Sequence, residues 1–181
     1  LLGGIFFLLL FLHHGALWLA ARSVGDLQAR AVRTAAGLWP ALLAVAAAFL
    51  LASRFATRLY DNYLAHPGLF AVVAATVAAL VAARLLLARR AFFRAWAASA
   101  ATIVGATFFG VIGLYPNLFP SSLEPAASLT LRNASSSPLT LNIMLVVAIV
   151  FVPIVVAYQT WAYHLFRDPV RPADLAHEDA Y

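Results

Sequence analysis

Residues Leu139–Tyr163 read LTLNIMLVVAIVFVPIVVAYQTWAY and contain no charged side chain. A run of this length can cross the hydrocarbon core of a bilayer, which is about 30 Å thick and needs about 20 helical residues. Lipid offers the backbone no hydrogen-bonding partner, so every N–H and C=O within such a run must be bonded internally. The stretch therefore predicts a transmembrane α-helix.

Four further apolar stretches precede it, at roughly Leu1–Ala20, Leu38–Leu51, Leu69–Leu87 and Ala95–Leu114. The chain is 64% hydrophobic and 10% charged, with a mean hydropathy of +0.90. A water-soluble domain of 181 residues cannot hide this much apolar surface. The sequence predicts an all-α fold, a polytopic transmembrane helix bundle with five spans.

Several classes of function are excluded by composition. The 12 basic residues are all Arg and lie at the ends of apolar stretches, which is typical of membrane topology and lipid contact rather than of nucleic-acid binding. The chain has no Cys, and the predicted spans have no Asp or Glu. We assign no catalytic, cofactor-binding or metal-binding residue in this chain.

The predicted organisation is a transmembrane bundle over residues 1–166 and a cytoplasmic tail over 167–181. We expect spans at about 1–21, 37–55, 69–88, 94–114 and 138–164, with Pro40 near the start of the second span and an ordered outer loop over 115–137. The chain opens inside an apolar helix without Met or a basic leader, so we expect it to be the C-terminal part of a longer chain.

The arginines predict an orientation. Loops one and three and the tail alternate onto one side of the membrane and carry most of the charge: Arg22, Arg30, Arg33, Arg89, Arg90, Arg94, Arg167 and Arg171. The positive-inside rule makes that side cytoplasmic, and with it the C-terminus. The second loop weakens this prediction because it places Arg54 and Arg58 on the outer side.

Polar residues flank the last span. Ser137 is suited to cap a helix and Pro138 to be its first residue, while Asn133 and Ser136 mark the approach to it. Gln159 and Trp161 mark its inner end. Asn133-Ala134-Ser135 also matches a glycosylation acceptor, but local capping by these polar groups is the preferred interpretation.

His13 and His14 are candidates for redox or metal chemistry. Adjacent residues on a helix point about 100° apart, so the two rings cannot bind one metal from the same side. Three roles stay open: a hydrogen-bonded side chain packed between helices, a haem ligand paired with a residue of another helix, and proton transfer.

Arg84 follows a long apolar run, where a charge is costly unless it reaches the interface, pairs or meets water. It either extends toward the third loop or pairs with an acidic group of a partner subunit or cofactor, because the spans of this chain contain no acid.

The motifs of the last loop and helix resemble those of subunit II of the cytochrome bd-type quinol oxidases. They are LYPNLFPSSL at 114–123, NASSSPLTL at 133–141, FVPIV at 151–155 and AYQTWAY at 157–163. LHHGA at 12–16, AR at 21–22 and GDL at 25–27 also resemble a middle helix of that subunit, whereas residues 36–110 match mainly in hydropathy.

The resemblance implies a ubiquinol oxidase of aerobic respiration that reduces O2 to water and generates a proton motive force. It implies a partner, the haem-bearing subunit I, which would hold haem b and haem d, and a supporting role for this subunit in assembly and proton access. It also allows a bound quinone or lipid and a small accessory subunit.

Within that family, His14 would pack or hydrogen-bond, Asn133 to Pro138 would face subunit I, and Arg84 and Trp161 would lie at the inner boundary. The alternative is a fragment of a multi-pass membrane transporter, which interrupted helices would favour. Here only Pro153 interrupts a predicted span.

Overall fold

The structure is a computed structural model that describes residues 1–165. Five of its helices are long and apolar enough to cross a membrane, which confirms the predicted polytopic helical fold. Residues 1–115 form one compact unit, and the described residues from Pro116 onward belong to a second.

The first unit is an antiparallel four-helix arrangement. Its elements are α1 (Leu2–Arg22), α2 (Gly25–Ala56), a short α3 (Asp61–Ala65), a 3-10 turn (Pro67–Leu69), α4 (Phe70–Ala88) and α5 (Phe92–Leu114). α1 packs against α2 and α5, and α4 packs against α5. Ser23 and Val24 alone join α1 to α2, and Gly25 adopts the positive φ of 68° at this reversal.

Two apolar clusters hold this unit together. One is centred on Leu10, Leu42 and Leu80, which come from three different helices. The other, nearer the α1–α2 reversal, is built from Leu17, Leu87 and smaller alanines. Small residues at these crossings let the helices approach closely, which is how helices associate in lipid.

The sequence analysis treats the residues between the first two apolar stretches as a loop, and for residues 25–36 this prediction is wrong. Residues 25–36 are helical, so α2 begins about three turns before the apolar stretch and is about 48 Å long at 1.5 Å per residue. Helix formation needs no lipid, and residues 25–36 contain four Ala and two Arg, which favour helix. Ala31 and Ala35 are buried on its inner face.

Pro40 consequently lies in the middle of α2 and not in its first turn. The ring removes the N–H that would donate to the carbonyl of Ala36, one turn earlier. The helix continues through this position, and the next residue but one, Leu42, is fully buried. A hydrogen bond next to Pro40 stabilises this part of α2: Trp39 Nε1 donates to the carbonyl oxygen of Leu80 on α4 at 3.0 Å.

The connection between α2 and α4 is fastened to the end of α5. Asn62 Nδ2 donates to the carbonyl oxygens of Ile112 (2.7 Å) and Tyr115 (2.6 Å), which a helix end leaves without helical partners. The fully buried Tyr63 donates its hydroxyl to the Phe109 carbonyl oxygen at 3.0 Å. Burial, with a smaller contribution from Tyr60, raises the pKa of the Tyr63 phenol and keeps it a neutral donor.

The second unit begins with a small folded loop. β1 (Asn117–Phe119) pairs antiparallel with β2 (Leu129–Thr130), and a 3-10 turn (Pro125–Ala127) lies between them. The buried Ser128 accepts from the Ser121 N–H through its hydroxyl at 3.0 Å. The predicted ordered loop therefore has regular structure over part of its length.

α6 (Pro138–Leu165) starts where the sequence predicts. The N–H of Thr140 donates to Ser137 Oγ at 3.3 Å, and the N–H of Leu141 donates to the Ser137 carbonyl oxygen at 3.0 Å. Ser137 is thus the N-cap and Pro138 the first helical residue. The rest of the second unit buries none of the residues of α6, and Pro153 lies inside the helix.

We predict that Gly113→Ala destabilises the protein by about 1–3 kcal/mol, as overpacking usually does. A Cβ at this position would lie 2.6 Å from the Leu59 carbonyl oxygen, so backbone has to shift. Thermal unfolding of the purified full-length protein in detergent measures the effect. Gly110→Ala is the matched control on the same helix, because a Cβ there meets nothing within 4 Å. Equal midpoints for the two variants would contradict the predicted clash.

Candidate functional site

Charge concentrates at one end of the four-helix unit, which we call the arginine end. α1 and α4 finish here, and α2 and α5 begin here, because the four helices alternate in direction. The following arginines lie in the segments that meet at this end: Arg22, Arg30, Arg33, Arg84, Arg89, Arg90 and Arg94. The predicted association of the first and third connections is consistent with this arrangement.

A cavity of about 380 Å³ opens at the arginine end. It is lined by Arg33 of α2, Arg84 of α4 and Arg90 of the α4–α5 turn, together with Gln28 and apolar side chains. Arg84 is half-buried one turn before the end of α4. Among the described residues Arg84 has no ion pair. The predicted pairing with an acid of another molecule therefore stays a prediction.

His14 makes a hydrogen bond between two helices. Its Nδ1 lies 2.6 Å from the hydroxyl oxygen of Ser99 on α5, and that hydroxyl donates to the Trp96 carbonyl oxygen at 2.7 Å. Since the single hydroxyl proton is used for Trp96, Ser99 accepts from the Nδ1–H of His14. His14 thus makes the kind of hydrogen bond between helices that its packing role requires, and the bond uses Nδ1 alone.

An aromatic cluster surrounds this bond. The His14 ring lies 5.4 Å from the Trp96 ring, and Trp96 lies 5.0 Å from Trp18, measured between centroids. The Arg22 guanidinium stands 4.7 Å from the centroid of the Trp18 ring, within the range of a cation–π contact. The cluster ties the last turns of α1 to the first turns of α5.

His13 differs from its neighbour. Its side chain is fully buried, and neither ring nitrogen has a hydrogen-bond partner within residues 1–165. An unsatisfied buried polar group costs about 1–3 kcal/mol. His13 is therefore the clearest candidate in the described spans for a group whose position is not explained by packing.

The structure does not gather the remaining predicted residues into one site. Asn133 closes its own loop: its side-chain oxygen accepts from the Thr130 N–H at 2.6 Å, and its amide donates to the Ser128 carbonyl oxygen at 2.9 Å. Ser136 is exposed beside the cap of α6. Gln159 and Trp161 are exposed on the last turns of α6.

Sequence reasoning missed Ser99, Asn62 and Tyr63, which make the cross-helix bonds of the first unit. Ser99 lies within a run of small residues and reads as ordinary helix packing. Asn62 and Tyr63 lie in a short polar connection whose aromatic residues indicate only a membrane boundary. No signal in the sequence indicates their partners, which are 46 to 85 residues away along the chain.

Within residues 1–165 there is no group of three or more His, Asp or Glu side chains that could hold a metal ion. The described site offers cations, a buried imidazole and aromatic rings. Such a set can bind an anion, orient a neighbouring subunit or carry a proton.

Comparison with known proteins identifies the family to which these features belong. The model for cytochrome bd terminal oxidase subunit II matches residues 1–166. A cytochrome bd ubiquinol oxidase subunit 2 of Bacillus subtilis (strain 168) is 32% identical over 172 residues, which are 94% of this chain and 50% of the relative.

Two further relatives match shorter segments. A probable cytochrome oxidase subunit 2 of Haemophilus influenzae is 42% identical over 89 residues, covering 49% of this chain and 23% of the relative. A cytochrome bd-I ubiquinol oxidase subunit 2 of Escherichia coli K12 is 50% identical over 52 residues, covering 29% and 14%. The chain thus spans half or less of the length of these relatives. The resemblance inferred from the motifs is confirmed.

We predict that Ser99→Ala lowers stability by about 1–3 kcal/mol, because it leaves the buried side of the His14 ring without its partner. Thermal unfolding in detergent is the measurement. Thr107→Ala on the same helix is the control, since Thr107 bonds only its own helix and is exposed. That change should stay within about 0.5 kcal/mol. Similar losses for both would show that the His14 bond contributes nothing specific.

We predict that His13→Leu leaves stability unchanged or raises it by about 1 kcal/mol, because an apolar side chain of similar size needs no partner in the core. His14→Leu, which removes a made bond, should lower the unfolding midpoint. A clear loss of stability for His13→Leu would contradict this prediction.

Proposed function

The chain belongs to the cytochrome bd terminal oxidase subunit II family, and we propose that it forms part of a membrane oxidase that oxidises quinol and reduces O2 to water. The match over residues 1–166 carries this proposal, because it includes all five membrane helices. It favours the oxidase over the transporter alternative.

We propose a supporting role in which this subunit packs beside a haem-bearing subunit I. α6 supports it, because the rest of its own unit buries none of the 28 residues of this apolar helix. Pro153 also leaves the Ile149 carbonyl without its helical donor, a group that neighbouring helices satisfy in lipid. The exposed candidates Asn133, Ser136, Ser137, Pro138, Gln159 and Trp161 would lie at or near that interface.

Haem b and haem d would be held by the partner subunit. In this chain, His14 Nδ1 is bonded to Ser99, and the His13 side chain is fully buried. The apolar cavity among α1, α2, α4 and α5 is about 40 Å³, far too small for a macrocycle. When bound, haem supplies the electron transfer and O2 chemistry of such an oxidase.

A contribution to proton access is the finer part of the proposal. Apart from Asp26 in the first turn of α2, the described membrane helices contain no Asp or Glu, so a proton passing through them would use imidazole, hydroxyl groups or water. His13 is fully buried, and its ring nitrogens have no hydrogen-bond partner within residues 1–165. We place the protein in the prokaryotic inner membrane with the arginine end and the C-terminus cytoplasmic, following the positive-inside rule.

The test is purification of the full-length protein through a tag, with the untagged strain as control. We expect an intact preparation to carry a second, haem-containing subunit, to show b- and d-type bands in reduced-minus-oxidised spectra, and to consume O2 only when quinol is supplied. A folded but colourless preparation without quinol-dependent O2 uptake would contradict the oxidase and return the transporter to consideration.

A further inference from the structure

The cavity at the arginine end collects positive charge without an acid. Arg33, Arg84 and Arg90 line it, and no Asp or Glu does. The nearest acid in sequence, Asp26, is exposed and absent from the lining. The ion pair described in residues 1–165 joins Arg58 to Asp61, in the connection that follows α2 and away from this cavity. Three arginines thus line one cavity whose lining includes no carboxylate to balance their charge.

General topology does not account for this convergence. Arg30 and Arg89 lie at the same end and carry the same charge, yet they do not line the cavity. Arg33 reaches it because α2 continues as a helix beyond the apolar stretch and forms a wall opposite α4. Gln28 braces that wall, since its amide donates to the carbonyl oxygens of Ala20 (3.0 Å) and Ser23 (2.9 Å).

Arg90 adds an independent observation. It adopts the left-handed conformation, with φ of 56°, at the turn that ends α4. Glycine is the residue that this conformation favours, and side chains with a Cβ are strained there. An arginine nevertheless occupies the position and lines the cavity. A charged side chain at a glycine position is consistent with a role for its guanidinium.

We propose that this cavity binds the phosphate of an anionic phospholipid headgroup. Guanidinium groups bind phosphate oxygens with paired, charge-assisted hydrogen bonds. Basic pockets between helices at the membrane boundary are suited to lipid headgroups, and the volume of about 380 Å³ falls within the range of small-molecule sites. Val32, Leu87 and Phe92 supply an apolar wall for the glycerol end of the lipid.

The experiment is a lipid titration of the full-length protein in its native complex, followed by native mass spectrometry. Phosphatidylglycerol and phosphatidylcholine with the same acyl chains are the probes. The test variant is Arg33→Gln with Arg84→Gln. The matched control is Arg30→Gln with Arg89→Gln, which removes the same charge from the same end without touching the cavity lining.

We expect the wild type to bind one phosphatidylglycerol in clear preference to phosphatidylcholine. The test variant should weaken that binding about 30-fold, since losing the direct hydrogen bonds of each guanidinium to the phosphate costs a factor of about five, a loss that the control does not suffer. The control should lose less than about fivefold. Equal effects of the two double variants, or no preference in the wild type, would overturn the proposal.

Three further arms keep the result decisive. If the Gln variant does not fold, Arg33→Lys with Arg84→Lys retains charge but not paired bonding, and should still weaken binding several-fold. Inorganic phosphate alone, if it displaces phosphatidylglycerol at equal concentration, would overturn the lipid as the source of the phosphate. A preference that emerges only after residues 167–181 are removed would assign the cavity to the carboxylates of the chain's own acidic tail.

Discussion

The rest of the structure depends on the inability of lipid to hydrogen-bond the backbone. Every long apolar segment must be helical, and each helix end must find partners for its free N–H and C=O groups. Ser137 provides them at the start of α6, and Asn62 at the end of α5. Gly25 and Arg90 accept left-handed backbone so that the chain can reverse within a few residues.

Hydrophobic burial cannot drive helices together inside lipid, so polar contacts and close packing must do it. Most hydroxyl groups in the spans bond their own helix, as Thr102 and Thr107 do. The cross-helix bonds are fewer and come from larger side chains: His14 to Ser99, Trp39 to Leu80 and Tyr63 to Phe109. These hydrogen bonds and the small residues at the helix crossings together determine which helices pack against each other in this unit.

The sequence was sufficient to predict the number of spans and the start of α6, because both follow from local properties. A long apolar run indicates a span, and Ser137 followed by Pro138 indicates a helix start. It was not sufficient for α2, where residues 25–36 are polar enough to be taken for a loop yet form helix readily. The cavity depends on that extension. Arg33 and Arg84 are distant in the sequence, and they line the same cavity because α2 is helical over residues 25–36.

The length of α2 also sets a scale perpendicular to the membrane. From Ala36, at the edge of the arginine end, to Arg54 near its far end, the helix rises about 27 Å at 1.5 Å per residue. Arginines at one end, and Arg54 with Tyr60 at the other, resist being drawn into hydrocarbon. The distance between the two charged ends of the four-helix unit therefore matches the hydrocarbon thickness of an ordinary or slightly thin bilayer. In a much thicker bilayer, the unit would tilt or deform the lipid around it.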